Sequence, residues 1–331
     1  MPSSNHLSET EANSKKLCIW IFHDAKPGHL SQLEGLVNRL SFHTACDTQW
    51  FDITKNKLNI QNLFFIPEFL KNQTTPDLII GAGHSTHLSV LIAGIKLTAF
   101  TSLIMKPSLP SSFFDAVICP KHDGLKDSIK ILNTTGTINK IIPESTTTES
   151  SKKNKHIILI GGPSKHFVFD EAQLISSIQK VCQNDTNKIW HLSDSPRTPK
   201  NFIATLKKLS IPNLKLYSFT DASFGKLNDV LNQSAFTWVT PDSMSMLYES
   251  LTSGTITAVF DMTPSKIRKP SRIVRQVQQL ISEGSVINFQ SWQESNGKTA
   301  SMKFTPPSLT LWEADRAALW LLQRLKGNCK K

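Results

Sequence analysis

Four stretches of this 331-residue sequence carry residues suited to chemistry on a phosphorylated ligand. In the first, Gly161-Gly162-Pro163-Ser164-Lys165-His166 follows the β-branched run Ile157–Ile160. Two glycines after a buried strand permit a tight turn and let the backbone approach an anion. A helix is expected over Asp170–Val181, and free N–H groups and the helix dipole both favour negative charge at its start. Ser164, Lys165 and His166 would add donors and positive charge. The same residues also fit a plain strand-to-helix turn, and they match neither a dinucleotide fingerprint nor a P-loop. In the second, Pro241–Glu249 opens an expected helix (Ser243–Ser253). Ser243 and Ser245 could hold a second phosphate there, and Glu249, about two turns in, could accept both hydroxyls of a ribose. Asp242 or Ser243 as a simple N-cap, with Glu249 solvated, is the other reading. In the third, Arg197 lies between Pro196 and Pro199. A stiffly held arginine suits bidentate phosphate recognition; it also fits an ordinary surface arginine. The fourth set is His29, His84 and His87, each in or just after a glycine loop. Any of them could take a proton from a hydroxyl near neutral pH, with Asp24 as the carboxylate alternative. Loop or cap hydrogen bonds would equally occupy them. His84 and His87 also have a metal-pair spacing, but no third ligand is apparent, so no metal is expected. No Ser-centred hydrolase signature is present.

The elements that must hold these residues alternate between strand and helix. In the first half, strands are expected at Leu17–Phe22, Trp50–Ile53, Leu78–Ile80, Phe100–Met105 and Ala116–Cys119. Helices are expected at Leu30–Leu40, Leu63–Leu70 and Leu88–Leu97, with loops at His23–His29 and Gly81–His87. In the second half the strands are Ile157–Ile160, Lys188–Leu192, Leu216–Phe219, Ala235–Val239 and Ile256–Phe260. Between them come helices Asp170–Val181, Asn201–Leu209, Lys226–Gln233, Ser243–Ser253 and Arg272–Glu283, then a closing helix at Leu309–Leu325. This alternation predicts an α/β protein with two Rossmann-like, doubly wound domains facing a central cleft. The expected layout is a disordered tail (1–16), an N-terminal acceptor domain (17–143), a Ser/Thr/Lys-rich linker (144–154), a C-terminal donor domain (155–308) and the closing helix (309–331).

Composition narrows the class. Hydrophobic content of 39% and charged content of 19% are those of a globular protein. The net charge of +11 points to acidic partners: nucleotide phosphates or an anionic membrane surface. Nucleic acid is set aside, because no nucleic-acid motif appears and there are two tyrosines. The five cysteines are scattered without a CxxC, which suits a reducing compartment better than a disulfide frame. Met1–Lys16 is polar and mixed in charge, unlike a secretory signal, and no apolar run is long enough to cross a bilayer.

Six motifs in order along the chain carry a resemblance: DAKPGH (Asp24–His29), PDLIIGAGHSTH (Pro76–His87), GGPSKHF (Gly161–Phe167), SDSPRTP (Ser193–Pro199), TPDSMSMLYES (Thr240–Ser250) and WEADRAA (Trp312–Ala318). With them the sequence resembles the mitochondrial fission (elongated-mitochondria, ELM) family of GT-B glycosyltransferase-like proteins. It is more distantly similar to the transferase that adds GlcNAc to lipid I. That enzyme's donor-ribose glutamate would correspond to Glu249, but its first-domain loop is richer in glycine than Lys26-Pro27-Gly28-His29, so acceptor chemistry does not carry over. The resemblance implies a metal-independent enzyme that moves a sugar from a nucleotide-sugar to a cell-envelope glycan or lipid-linked acceptor. It implies no cofactor beyond the donor substrate, and a cytoplasmic place at or near the inner membrane face. Gly161, Gly162, Ser164, Lys165, Arg197, Ser243, Ser245 and Glu249 would hold the donor, and His29, Asp24 or His84 would act as base. Two other classes share the fold: a non-catalytic scaffold that recruits a dynamin-related protein, as plant members are associated with, and a non-NAD nucleotide-sugar epimerase.

Overall fold

The computed structural model describes residues 16–56, 58–65, 67–143, 154–266, 268–297 and 311–328. The expected tail and linker therefore lie outside the described residues, apart from Lys16 and Asn154. The chain divides into two compact units. The first comprises residues 1–119, 125–133 and 314–331; the second comprises 120–124 and 134–313.

In the first unit the elements are β1 (Leu17–His23), α1 (Pro27–His43), β2 (Cys46–Asp52), α2 (Glu68–Lys71), β3 (Leu78–Ala82), α3 (His87–Leu97), β4 (Phe100–Ile104), β5 (Ala116–Pro120) and β6 (Ile131–Thr134). Its sheet runs β2-β1-β3-β4-β5-β6, and β1 pairs in parallel with both β2 and β3. The second unit contains β7 (Lys155–Leu159), α4 (Glu171–Asn184), β8 (Trp190–Ser193), α5 (Lys200–Lys208), β9 (Leu214–Tyr217), α6 (Leu227–Asn232), β10 (Ser234–Val239), α7 (Met244–Thr252), β11 (Ile256–Val259), α8 (Arg272–Ser282), β12 (Ile287–Asn288) and α9 (Phe289–Glu294). Its sheet runs β12-β11-β10-β7-β8-β9, and β7 is parallel to both β10 and β8. The last helix, α10 (Glu313–Asn328), belongs almost wholly to the first unit. There Asp315 receives Arg39 Nε and His43 Nε2, both at 2.7 Å.

The continuous apolar runs are explained by burial on both faces. In β7, Ile157 and Leu159 enter one hydrophobic cluster while Ile158, with the following Ile160, enters another. Successive side chains of a strand point to opposite faces, so a strand covered on both sides needs apolar residues at every position.

Three expectations are corrected. The single helix over Leu63–Leu70 is a 3-10 turn (Ile60–Leu63) and the one-turn α2, because Pro67 has no N–H for a continuous helical ladder and serves instead as the N-cap of α2. The helix placed at Leu30–Leu40 begins earlier, at Pro27, whose fixed φ is preorganised for a first helical position. His29 is thus in the first turn of a helix and not in a loop. The closing helix spans Glu313–Asn328, starting after the position expected for it. The sequence reading also did not anticipate β6, β12 and α9, which are short and without a sustained apolar period.

Candidate functional site

In each sheet the strand order reverses beside the first strand: between β1 and β3 in one unit, and between β7 and β10 in the other. Open α/β sheets bind ligands at the carboxyl ends of strands flanking such a reversal. Both pairs of strand ends carry buried polar clusters, built differently.

At the end of β1, Ala25 takes the left-handed conformation (φ 58°), uncommon for a residue with a Cβ. This turn presents the Asp24 carboxylate inward, with its side chain 4% exposed. His29 Nδ1 lies 2.8 Å from Oδ1, Lys26 Nζ 3.0 Å from Oδ2, and Ser85 donates its hydroxyl to Oδ2 at 3.2 Å. Burial alone would raise the acid's pKa. The hydrogen bonds from His29 and Lys26 and the charge of His29 outweigh it and hold the group down to about 2. An ionised carboxylate only accepts, so Nδ1 must be the protonated nitrogen and a neutral His29 presents a basic Nε2. Gly83, at the end of β3, makes room for this ring: its φ is +89°, and a Cβ there would overlap the imidazole.

The structure separates the three candidate histidines. Only His29 joins the carboxylate. His84 is exposed in a 3-10 turn, its ring 5.6 Å from that of His87. His87 is 2% exposed, and its Nδ1 accepts the Ser108 N–H at 3.2 Å. Its buried Nε2 has no partner among the described residues. Burial, helped by His84 and His29, lowers its pKa to about 4. Among the described residues no three His, Cys, Asp or Glu side chains converge as metal ligands.

At the end of β7 the diglycine makes a close approach, not a left-handed turn. A Cβ on Gly161 would strike the Asp242 carboxylate, and one on Gly162 the Arg197 carbonyl. Gly161 N–H donates to Thr240 Oγ1 at 2.7 Å and Gly162 N–H to Asp242 Oδ2 at 3.0 Å. Asp242, its side chain fully buried, also receives Arg197 Nη2 at 2.7 Å, while Arg197 Nη1 donates to the Gly162 and Pro163 carbonyls. Ser195 and Thr198 hydroxyls donate to the Gly161 carbonyl.

These contacts correct part of the expected anion site. The diglycine amides are engaged within the protein, so they do not offer themselves to a phosphate. Arg197 is tied into the floor of the cluster and is not a free fork. Eight residues separate Gly162 from α4, whose N-terminus is capped by Asp170 (Oδ1 to Gln173 N–H, 3.0 Å) and followed by Glu171. Two acids there oppose an anion. Ser164 Oγ accepts the His166 and Phe167 N–H groups in a local turn, and Lys165 is exposed.

The start of α7 differs. Its N-cap residue Ser243 makes no side-chain cap, and Asp242, the neighbouring alternative, is turned to Gly162 and Arg197. Glu249 is buried and not solvated, with Ser245 donating to its Oε1 at 3.3 Å. The roles of Asp242, Thr240, Thr198 and Ser85 were missed from sequence. Each lies inside a motif already singled out, but the partner of each is far away in the chain.

The family model of mitochondrial fission ELM1 matches residues 27–325. The chain belongs to the mitochondrial fission ELM1 family. This ELM1-family chain is 26% identical over 291 residues to the uncharacterized protein RP120 of Rickettsia prowazekii, covering 71% of this chain and 81% of that one. Among solved structures it is similar to a Listeria monocytogenes chain assigned as a UDP-N-acetylglucosamine 2-epimerase (TM-score 0.55, 13% identity, 96% and 97% of the two chains). It is also similar to MurG of Acinetobacter baumannii (TM-score 0.54, 10% identity, 94% and 99%). A third is the UDP-GlcNAc 2-epimerase of Neisseria meningitidis bound to UDP-GlcNAc (TM-score 0.52, 13% identity, 93% and 100%). The ELM1-family chain therefore has the two-sheet α/β fold shared by GT-B glycosyltransferases and these epimerases.

Proposed function

We propose that this protein is a GT-B glycosyltransferase that uses a nucleotide-sugar. The observation that carries the reading is the start of α7: an N-terminus without a side-chain cap, at a strand end flanking the reversal, with a buried carboxylate on the same helix. Unpaired N–H groups of a first helical turn suit a phosphate, and Glu249 suits ribose hydroxyls. The donor is thus assigned to the second unit. His29 Nε2 takes the proton of an acceptor hydroxyl, whose oxygen forms the new bond to the anomeric carbon. The bond from that carbon to the diphosphate breaks, and its electron pair leaves with the diphosphate. Asp24 holds the imidazole in the required tautomer and offsets the positive charge it gains. The acceptor class is a cell-envelope glycan or lipid-linked sugar, reached by a basic protein at the inner membrane face. Among the described residues no helix is long and apolar enough to span a membrane.

The epimerase neighbours support a second reading, since they share the fold. One experiment separates the two. The purified protein is screened by thermal shift against UDP, GDP, ADP and CMP, and the donor so identified is incubated with and without candidate acceptors. Transfer only with acceptor is expected. Isomerised donor without acceptor would replace the transferase reading, and the absence of any shift in a cooperatively melting protein would leave the scaffold class.

A further inference from the structure

After β11 the chain reads Lys266, Arg268, Lys269, Arg272 and Arg275 within ten residues, with no acid among them. All five side chains are exposed. Among the described residues one of them has an ion pair: Arg272 Nη1 to Asp123 Oδ1 at 2.9 Å. Like charges this dense repel one another, and a bound polyanion would relieve the repulsion. The segment is anchored to the stretch that follows the diglycine. Val168 N–H donates to the Thr263 carbonyl at 2.8 Å and Ser265 N–H to the His166 carbonyl at 2.9 Å. His166 Nδ1 meets Ser271 Oγ at 2.9 Å, and Phe167 bridges to Pro264. Lys165 is brought in beside His166. Pro264 and Pro270 restrict the backbone, so less freedom is lost when the cations engage a ligand.

The position matters as much as the charge. β11 lies next to β10 and parallel to it, so this segment leaves the same carboxyl edge as Gly161–Gly162 and Thr240–Asp242. Because the diglycine amides and much of Arg197 are engaged in the floor, phosphate charge at this edge has to be met by other groups. We propose that Lys266, Arg268 and Lys269, with Lys165 from the stretch anchored to them, clamp the diphosphate of the donor. They leave the α7 N-terminus to the phosphate beside the ribose, and they stabilise the charge that develops as the diphosphate departs. This rests on the donor reading above.

The test is calorimetric titration of UDP and of inorganic pyrophosphate into wild type and into Arg268→Gln/Lys269→Gln. Lys207→Gln/Lys208→Gln, which removes two exposed charges from α5 of the same unit, is the control. Charge-assisted hydrogen bonds to a phosphate predict a loss of about tenfold or more for both ligands in the first variant. In the control, screening holds the change to less than about twofold. Equal affinity of wild type and Arg268→Gln/Lys269→Gln for UDP overturns the clamp and leaves the donor site standing. Refusal of UDP, GDP, ADP and CDP by wild type overturns the donor reading and the clamp with it. A salt titration of wild type checks the same point independently of how the variants fold: affinity must fall as salt rises, and salt-insensitive binding overturns the clamp.

Discussion

The two strand-order reversals are topological counterparts, yet their buried carboxylates do opposite work. Asp24 accepts from Lys26, His29 and Ser85, and the His29 imidazole it holds keeps a second nitrogen free of the carboxylate. Asp242 accepts from Gly162 N–H and Arg197, groups that knit the ends of β7, β8 and β10 together. A carboxylate that orients a titratable ring supports proton transfer. One that ties backbone and guanidinium together supports the fold, which is why the donor proposal above turns to α7 and the cations after β11.

The comparison makes ordered predictions. The largest effect is expected at the Asp24–His29 pair. His29→Ala should lower turnover by about 10²–10⁴-fold, with nucleotide binding and melting temperature close to wild type; steady-state kinetics at saturating donor that show an unchanged rate would remove His29 as base. Asp242→Ala should do the reverse. It should lower unfolding free energy by about 2–3 kcal/mol, less than for a fully buried pair because the Arg197 side chain is 44% exposed. Denaturant unfolding that shows no loss would break the contrast. Glu249→Ala should weaken nucleotide binding by about tenfold, as for one hydrogen-bonded carboxylate. Nucleoside affinity should fall with it, whereas removing cations after β11 should affect only phosphate-bearing ligands.

The most gradual effect is on pH. His87 is buried neutral with its pKa lowered to about 4, so the unfolded chain binds its proton first. Stability should therefore fall as pH drops from about 6.5 towards 4, by up to about 1 kcal/mol per pH unit. Asp24, held down to about 2, acts with the same sign in a lower window: its contribution is intact above about 4 and is lost as pH falls towards 2. His87→Phe should flatten the upper window and leave the lower one. A pH series of melts on the two proteins that coincides throughout would show that His87 is not the group titrating.

The alternation of apolar runs with amphipathic segments was enough to read two doubly wound sheets, since a strand covered on both faces must be apolar throughout. Glycine, histidine and hydroxyl motifs marked loops that the fold places at strand ends, where a parallel sheet leaves polar groups together. Local sequence could not say which N–H groups were already taken. The diglycine looked open to a phosphate until Thr240 and Asp242, about 80 residues away, closed on it. Nor could it tell apart three histidines with similar neighbours: His29 meets a carboxylate five residues before it that also receives Ser85, whereas His87 is buried. Composition and period determined the elements. Hydrogen-bond partnership and desolvation, which depend on distant parts of the chain meeting, were decided by the tertiary structure.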